Sequence, residues 1–310
     1  MLNATGGFQI DAPTLQSIWS ACDLGTIRST DWAGKGQNNP ALVINDTHVI
    51  RFDGLINKGL SRFHGERLAY DRLRAAGIPA PQVLVLDDSR SLAPYDFMIM
   101  NKIAGRPLID DWPSLTGEKR QQAATEAGRI LAQMHTISFP QFGRLYGTER
   151  VFANWPDSIM DKFYRDGWAA VSEGNISAAI CDRMQAVLTH HHPTFASVTT
   201  ASLVHWDYHF GNLLQEDGTI TGVLDFEWAL AGDPAYDFDR REQWDEDCPG
   251  SRQWVYDGYI SLRPLDADHD TRVSLYEMIW LLDCVVDARD AAEADTMCAK
   301  LIGVLQRLET

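Results

Sequence analysis

Short apolar runs and one long helical period organise the first hundred residues. Residues 12–22 read as a helix opened by Asp11 as its cap, with Pro13 in the first turn. Ala41–Asn45 and His48–Phe52 are short strand candidates around the turn-forming pair Asn45-Asp46. Residues 58–76 carry a helical period that stops at Gly77, with Pro79 and Pro81 beyond it. Gln82–Leu86 and Asp96–Lys102 read as two more strands. The order strand, strand, helix, strand, strand predicts a small sheet with one helix against it.

Past Gly105 the pattern becomes helical. Residues 117–137, 156–171 and 176–192 predict helices, and the chain from about Pro234 is expected to be mostly helical. Between them, Leu213–Gln215 and Ile220–Leu224 predict a hairpin around Glu216-Asp217-Gly218. The expected class is α+β: a small N-terminal antiparallel-sheet lobe over residues 1–103 and a larger helical C-terminal lobe over residues 104–310. A length of 310 residues supports two lobes over a single core of ordinary size.

Composition narrows the partners. The 27 Lys plus Arg against 43 Asp plus Glu leave a net charge of −16, which repels nucleic acid and anionic membrane and serves either plain solubility or a cationic small molecule. An anionic nucleotide would need local cations against that field. Cys22, Cys181, Cys248, Cys284 and Cys298 are scattered, odd in number and without a CxxC pair, which predicts a reduced cytoplasmic chain and no zinc site. The start MLNATGGFQIDAPTLQ has no basic region followed by an apolar run, so no secretory signal is expected. The most apolar stretch, Met278 to Val286, is broken by Asp283 and is too short to span a bilayer.

The candidate chemistry lies in residues 203–228, LVHWDYHFGNLLQEDGTITGVLDFEW. Asn212 follows Asp207 by five residues, and the hairpin then delivers Asp225 at the end of an apolar strand. Phosphoryl transfer needs one carboxylate beside the acceptor hydroxyl, to take its proton late. It also needs a carboxylate and an amide oxygen to hold magnesium against a triphosphate. Asp207 suits the first role, and Asn212 and Asp225 suit the second. Neighbouring histidines on a helix diverge, so His190-His191-His192 makes a poor metal cage, and His209 reads as a structural or surface histidine.

Three linked segments, His-Trp-Asp-Tyr-His-Phe-Gly-Asn at 205–212, Leu-Asp-Phe-Glu-Trp at 224–228 and Gly-Asp-Pro-Ala-Tyr-Asp-Phe at 232–238, resemble the signature of the aminoglycoside phosphotransferase family. That family is related to choline kinases and, more distantly, to protein kinases. The resemblance implies a bilobal protein kinase-like fold, ATP and Mg2+ as cofactors, and His205 as a brace for the loop that carries Asp207. It implies that Asp237 bonds that loop's backbone, behind Asp233 as a helix cap with Pro234 following. Gly36 and Asn38, in a glycine loop over residues 34–40, are expected at the phosphates, with Asn38 where serine is usual. Arg51 is expected to pair with the phosphates and Glu66 to ion-pair with Arg51, with Lys58 and Arg62 as other candidate partners of Glu66. Adenine is expected beside Met100, with backbone groups near Asn101 and Ile103 bonding its edge.

On the acceptor side, helix 272–290 carries an apolar stripe of Leu275, Ile279, Leu282 and Val286. Beside it runs a second stripe of Tyr276, Trp280, Asp283 and Asp287. The second stripe would suit an amino-bearing acceptor; equally it would serve as a solvated face or an internal salt bridge. Glu227, which stands where protein kinases have glycine, is expected to face the acceptor. The segment from Phe142-Gly143 through Trp155 to Phe163 resembles the hygromycin-type branch. The expected activity is transfer of ATP's γ-phosphate to a hydroxyl of an aminoglycoside-like antibiotic or other small metabolite. The alternatives are a same-fold kinase for a neutral macrolide, sugar or hydroxy acid, and a non-catalytic nucleotide-binding protein.

Overall fold

In the strand His48–Asp53 successive side chains enter two different environments. Ile50 and Phe52 join Leu42, Ile44, Phe97 and Ile99 in a core that also takes Leu15, Ile18 and Trp19 from the helix Ala12–Ala21. Arg51 is one residue out of phase and so faces the other side of the sheet. There it meets Glu66 of the helix Phe63–Ala75. The computed structural model describes residues 2–3, 9–33, 39–53, 62–147 and 150–309.

The chain divides into two compact units. One comprises Met1–Ala127, Leu145–Gly147 and His209–Ala229; the other comprises Gly128–Arg144, Thr148–Tyr208 and Leu230–Thr310. The first unit thus extends past residue 103 and takes in the hairpin that follows Asn212. The division falls inside the helix Gly117–Met134.

The first unit is built on a five-stranded antiparallel sheet in the order Thr30–Trp32, Ala41–Ile44, His48–Asp53, Asp96–Asn101, Val83–Asp87. Asp11 caps the first helix by accepting the Thr14 N–H at 2.6 Å. The second helix ends where Gly77 turns left-handed at φ 76°. A smaller sheet pairs Thr219–Val223 with Leu213–Glu216, and the latter with Arg106–Pro107. Its hairpin turns through Asp217 and Gly218, both at positive φ, as a two-residue turn between twisted strands requires.

The second unit is mainly helical, as expected, but it also holds a five-stranded antiparallel sheet that the periodicity did not predict. Its strands Val151–Phe152, Phe142–Arg144, Leu230–Gly232, Ala201–Val204 and Ser138–Phe139 have two to four residues each, too few to show an alternating period. Three of its helices begin at polar caps: Asn154 accepts from Asp157 N–H, Ser177 from Ile180 and Asp290 from Glu293. The expected helix over 272–290 runs instead as His269–Val286. The segment opened by Asp233 is a short 3-10 turn, Pro234–Phe238.

Asp233 does more than cap that turn. Its buried carboxylate accepts from Ala235 N–H (3.1 Å), Arg272 Nε (2.7 Å) and the Tyr276 hydroxyl (2.6 Å), and that hydroxyl accepts from Trp155 Nε1 (2.7 Å). Helix His269–Val286, helix Trp155–Ser172 and the 3-10 turn are thereby tied at one point. Removing Asp233 takes the acceptor from Arg272 Nε, the Tyr276 hydroxyl and the Ala235 N–H, while Asp266 still pairs with the Arg272 guanidinium. Asp233→Ala should therefore lower folding stability by roughly 1–3 kcal/mol, the cost of stranding buried donors. Urea unfolding followed by tryptophan fluorescence checks this; an unchanged midpoint would show that the network contributes nothing.

Candidate active site

Within the first unit, Arg51 joins two carboxylates. Its Nη1 donates to Glu66 Oε1, its Nη2 donates to Asp225 Oδ1 at 2.9 Å, and Glu227 Oε2 stands 4.0 Å away. Tyr70, one helical turn after Glu66, donates its hydroxyl to Glu66 (2.7 Å) and accepts the Asp225 N–H (3.0 Å). Burial pushes the Glu66 carboxyl up to about 7, opposed by Arg51. Burial also opposes the charge on Arg51, but Glu66 and Asp225 outweigh it and hold the guanidinium firmly protonated. Asp225 adopts φ 66°, and its side chain remains 37% exposed.

Asn212 and Asp225 are brought together by the hairpin. Leu213 pairs with Val223, and the Leu224 N–H donates to the Asn212 carbonyl at 2.9 Å. Glu227 is largely buried and accepts from Asn39 Nδ2. Its observed partners are Asn39 and Arg51, on the sheet side of this unit. Met100 is buried on the strand Asp96–Asn101. Asn101 donates its N–H to the Gln82 carbonyl and accepts the Gln82 N–H on its side chain, so its backbone donor is committed to the sheet edge. Ile103 lies against Gly222, where a Cβ would approach within 2.9 Å. Gly36 and Asn38 fall outside the described residues.

Within the second unit, Asp237 is buried and accepts the N–H groups of His205 (2.9 Å) and Trp206 (2.6 Å). His135 Nε2 lies 2.9 Å from the same carboxylate, and its Nδ1 lies 2.9 Å from the Tyr259 hydroxyl. His205 is fully buried and its Nδ1 accepts the Asp207 N–H at 3.2 Å, bracing the loop from inside. Trp206 sits at φ 61°, a left-handed conformation that costs a bulky residue about 1–3 kcal/mol. Asp207 Oδ1 accepts from Arg240 Nη1 at 2.6 Å.

The acceptor-side stripe is divided. Tyr276 belongs to the core around Asp233, not to an open face. The Arg240 guanidinium lies 5.5 Å from the Trp280 ring centroid. Both oxygens of Asp283 accept from Lys162 Nζ, at 3.0 and 2.9 Å, and Asp166 shares that ammonium at 3.0 Å. Asp287 lies just past the helix end and is exposed. In the segment 242–247, Glu-Gln-Trp-Asp-Glu-Asp, Trp244 is buried and donates to the Tyr208 carbonyl, while Glu242 and Asp245 pair with Arg252. Among the described residues no group of three His, Cys, Asp or Glu side chains is placed to hold a metal ion alone.

Sequence reasoning missed Tyr70, His135, Lys162 and Arg240. Tyr70 had a signal in its four-residue spacing from Glu66 on one helix face, and Arg240 in its three-residue spacing from Asp237. Lys162 had a signal in its four-residue spacing from Asp166, but none for Asp283, 121 residues on, and His135 had none, because its partners are more than 100 residues away.

A profile of the family described as "Phosphotransferase enzyme family" matches residues 36–239. Hygromycin-B 4-O-kinase of Escherichia coli is 25% identical over 187 residues, 59% of this chain and 52% of that protein. Homoserine kinase of Xanthobacter autotrophicus is 24% identical over 231 residues, 72% of this chain and 66% of that protein. The chain therefore spans about half to two thirds of these curated relatives. The solved structure of the streptomycin–ATP–APH(2")-IIa ternary complex superposes with a TM-score of 0.69 at 17% identity, covering 96% of this chain and 97% of that one. At that identity the likeness establishes the fold, a protein kinase-like α+β arrangement of antiparallel sheets and helices.

Asp239, beside Arg240, is buried, and its Oδ2 has no hydrogen-bond partner among the described residues. Burial raises its carboxyl to about 8, with Arg240 opposing. A carboxyl raised in the fold stabilises fully below its unfolded value near 3.8, and the contribution is lost as pH rises through about 8. Asp239→Asn removes that dependence. Its melting temperature relative to wild type should therefore climb as pH goes from 5 to 9. A constant offset across that range would contradict the raised pKa.

Proposed function

The chain belongs to the phosphotransferase enzyme family, and from that premise we propose that it is an ATP-dependent kinase that moves the γ-phosphoryl group of ATP to a hydroxyl of a small molecule. The observation that carries this reading is Arg51, fixed between Glu66 and Asp225 on the inner face of the sheet. A cation so held cannot rotate away, and its planar fork suits the oxygens of a polyphosphate. It also supplies the local positive charge that a nucleotide needs on a chain of net charge −16.

The remaining roles follow by chemistry. Asp207 takes the proton of the acceptor hydroxyl, held by His205 within the loop and by Asp237 behind it. Asn212 and Asp225 offer an amide oxygen and a carboxylate, hard donors of the kind magnesium accepts. Magnesium takes one or two carboxylates and completes its shell with water and phosphate. When bound, the ion neutralises charge on the phosphates. Glu66 and Tyr70 hold Arg51 and the Asp225 backbone. The sheet around Met100, Asn101 and Ile103 is the place for adenine, with Ile103 contributing backbone groups in place of the engaged Asn101 N–H. Residues 36 and 38 serve the phosphates. We place the nucleotide on the N-terminal lobe, residues 1–103, and the acceptor on residues 104–310. The reaction belongs in the cytoplasm, where ATP is supplied and where the five cysteines, none of them in a disulfide, stay reduced.

Two acceptor classes follow from different observations. An aminoglycoside-like antibiotic, with resistance as its consequence, is supported by the family, by the hygromycin kinase among the relatives and by the acidic composition. A neutral hydroxylated acceptor is favoured by Lys162, which already compensates Asp283 on both oxygens. Trp280 beside Arg240 is then an aromatic contact for either.

ATP consumption screened against a panel of hydroxylated acceptors tests the activity itself. Asp207→Asn should lower turnover by roughly 10²–10⁴-fold while leaving affinity for a nonhydrolysable nucleotide nearly intact. Near-normal turnover with a good acceptor would remove Asp207 from the reaction. Asp225→Ala should abolish magnesium-dependent nucleotide binding by titration calorimetry, and Asn212→Ala should weaken it less. Affinity unchanged in Asp225→Ala would exclude it as a ligand.

For the acceptor, KM against ionic strength separates the two classes. A cation meeting exposed carboxylates binds more weakly as salt rises, by about fivefold for a contact of roughly 1 kcal/mol. A KM that stays flat with salt, in wild type and in Asp287→Asn, assigns the neutral class.

A further inference from the structure

Arg240 stands outside every role given above, yet it touches the carboxylate at the centre of them. Its Nη1 donates to Asp207 Oδ1 and its Nη2 donates to the Trp206 carbonyl, both at 2.6 Å. One planar group thus binds two consecutive residues, a side chain at one and the backbone at the other. A lysine ammonium lacks the fixed fork to span both.

The residue between these bonds explains why two are needed. Trp206 holds φ 61°, which a bulky L-residue avoids unless its surroundings impose it. Its N–H is taken by Asp237 Oδ1 at 2.6 Å, and its carbonyl is taken by Arg240. Both peptide groups flanking the left-handed residue are therefore clamped by charged side chains. Asp237 and Arg240 are three residues apart, so one short turn supplies both halves of the clamp.

Arg240 is itself held. The Trp280 ring lies under the guanidinium at 5.5 Å, and Asp239 stands 3.9 Å from Nε. The Trp206 ring packs on Tyr236, with centroids 5.2 Å apart, and meets Lys162 Nζ at 4.9 Å. Lys162 in turn is paired with Asp166 and Asp283.

We propose that Arg240 is a positioning residue for phosphoryl transfer, fixing the Asp207 carboxylate and the left-handed Trp206 backbone in the orientation the acceptor hydroxyl requires. The inference rests on Asp207 being the proton acceptor. A guanidinium weakens a carboxylate as a base, which at first opposes the proposal. Phosphoryl transfer passes through a loose transition state in which the acceptor hydroxyl loses its proton late. Orientation of the carboxylate then outweighs its basicity, and misplacement by an ångström is worth as much as 10²-fold in rate.

The test compares Arg240→Gln, Arg240→Lys and Arg240→Ala with Asp207→Asn, using ATP and an acceptor found in the screen. Arg240→Gln should lower kcat by about 10–100-fold and move the KM for ATP by no more than about twofold. Arg240→Lys should recover only part of kcat, because it can serve one of the two acceptors. Added guanidinium ion should restore part of the kcat of Arg240→Ala, an effect that a purely structural loss would not show. Circular dichroism and a thermal melt on each variant correct kcat for any unfolded fraction. Normal or raised kcat in Arg240→Gln would overturn the proposal, the second case marking Arg240 as a restraint on Asp207. Equal loss in kcat and in ATP affinity, or a loss fully accounted for by unfolding with no guanidinium rescue, would overturn it as well. Asp207→Asn separates the two levels. If it retains turnover, the role of Asp207 itself fails; if it is inactive while Arg240→Gln is normal, only the role of Arg240 fails.

Discussion

A single buried carboxylate organises the loop on which the proposed chemistry depends. Asp237 has almost no solvent to stabilise its charge, so it must find donors within the protein. It finds three: the backbone of His205, the backbone of Trp206 and the imidazole of His135. Each bond satisfies Asp237 and at the same time restricts a segment that would otherwise be a surface loop. The cost of burying the charge makes the loop geometry obligatory, since any conformation that withdraws those N–H groups strands a carboxylate in the interior.

The first unit solves a similar problem with opposite sign. Arg51 is a partly buried cation placed there by strand alternation, because Ile50 and Phe52 must face the hydrophobic core. Glu66 compensates it from the neighbouring helix, and Asp225 completes the pair from a distant part of the chain. Tyr70 then ties the two carboxylate-bearing segments through one hydroxyl that donates to Glu66 and accepts from Asp225. Charge pairing and core packing are thus the same decision here. Shifting the register of His48–Asp53 by one residue would move the cation into the core and the apolar pair onto the polar face.

What could be read from the chain follows from the range of the interactions. The hairpin returning from Asn212 to Asp225 was legible because turn chemistry and short apolar strands are local signals, and the observed Leu213–Glu216 and Thr219–Val223 strands differ from the expected ones by a residue. The Arg51–Glu66 pair was legible through resemblance, its members only fifteen positions apart. The small sheet of the second unit was not, since strands of two to four residues leave no period to detect. Tyr276 illustrates a different failure. Its spacing from Trp280 and Asp283 suggested an open polar stripe, but a hydroxyl can be buried if it finds partners, and Asp233 and Trp155 provide them from elsewhere in the chain. Asp283 instead fits the alternative of an internal salt bridge, although helical spacing predicts only which residues share a face, and not that Lys162 lies 121 residues earlier in the chain to meet one of them.

Two left-handed residues, one in each unit, make the dependence on distant support concrete. Trp206, just before Asp207, and Asp225 both have positive φ. Neither is a glycine, so each would relax toward an ordinary conformation if left alone. In each case the N–H of the strained residue is held by a deeper group: Asp237, 31 residues later in the chain, for Trp206, and Tyr70, 155 residues earlier, for Asp225. Local sequence opposes these conformations, and only tertiary contacts impose them. It follows that the carboxylates at and beside these positions acquire their directions only after the surrounding core has formed. Substitutions in the supporting shell should then alter chemistry before they alter the fold, because the strained segments are the first to relax when one restraint is lost.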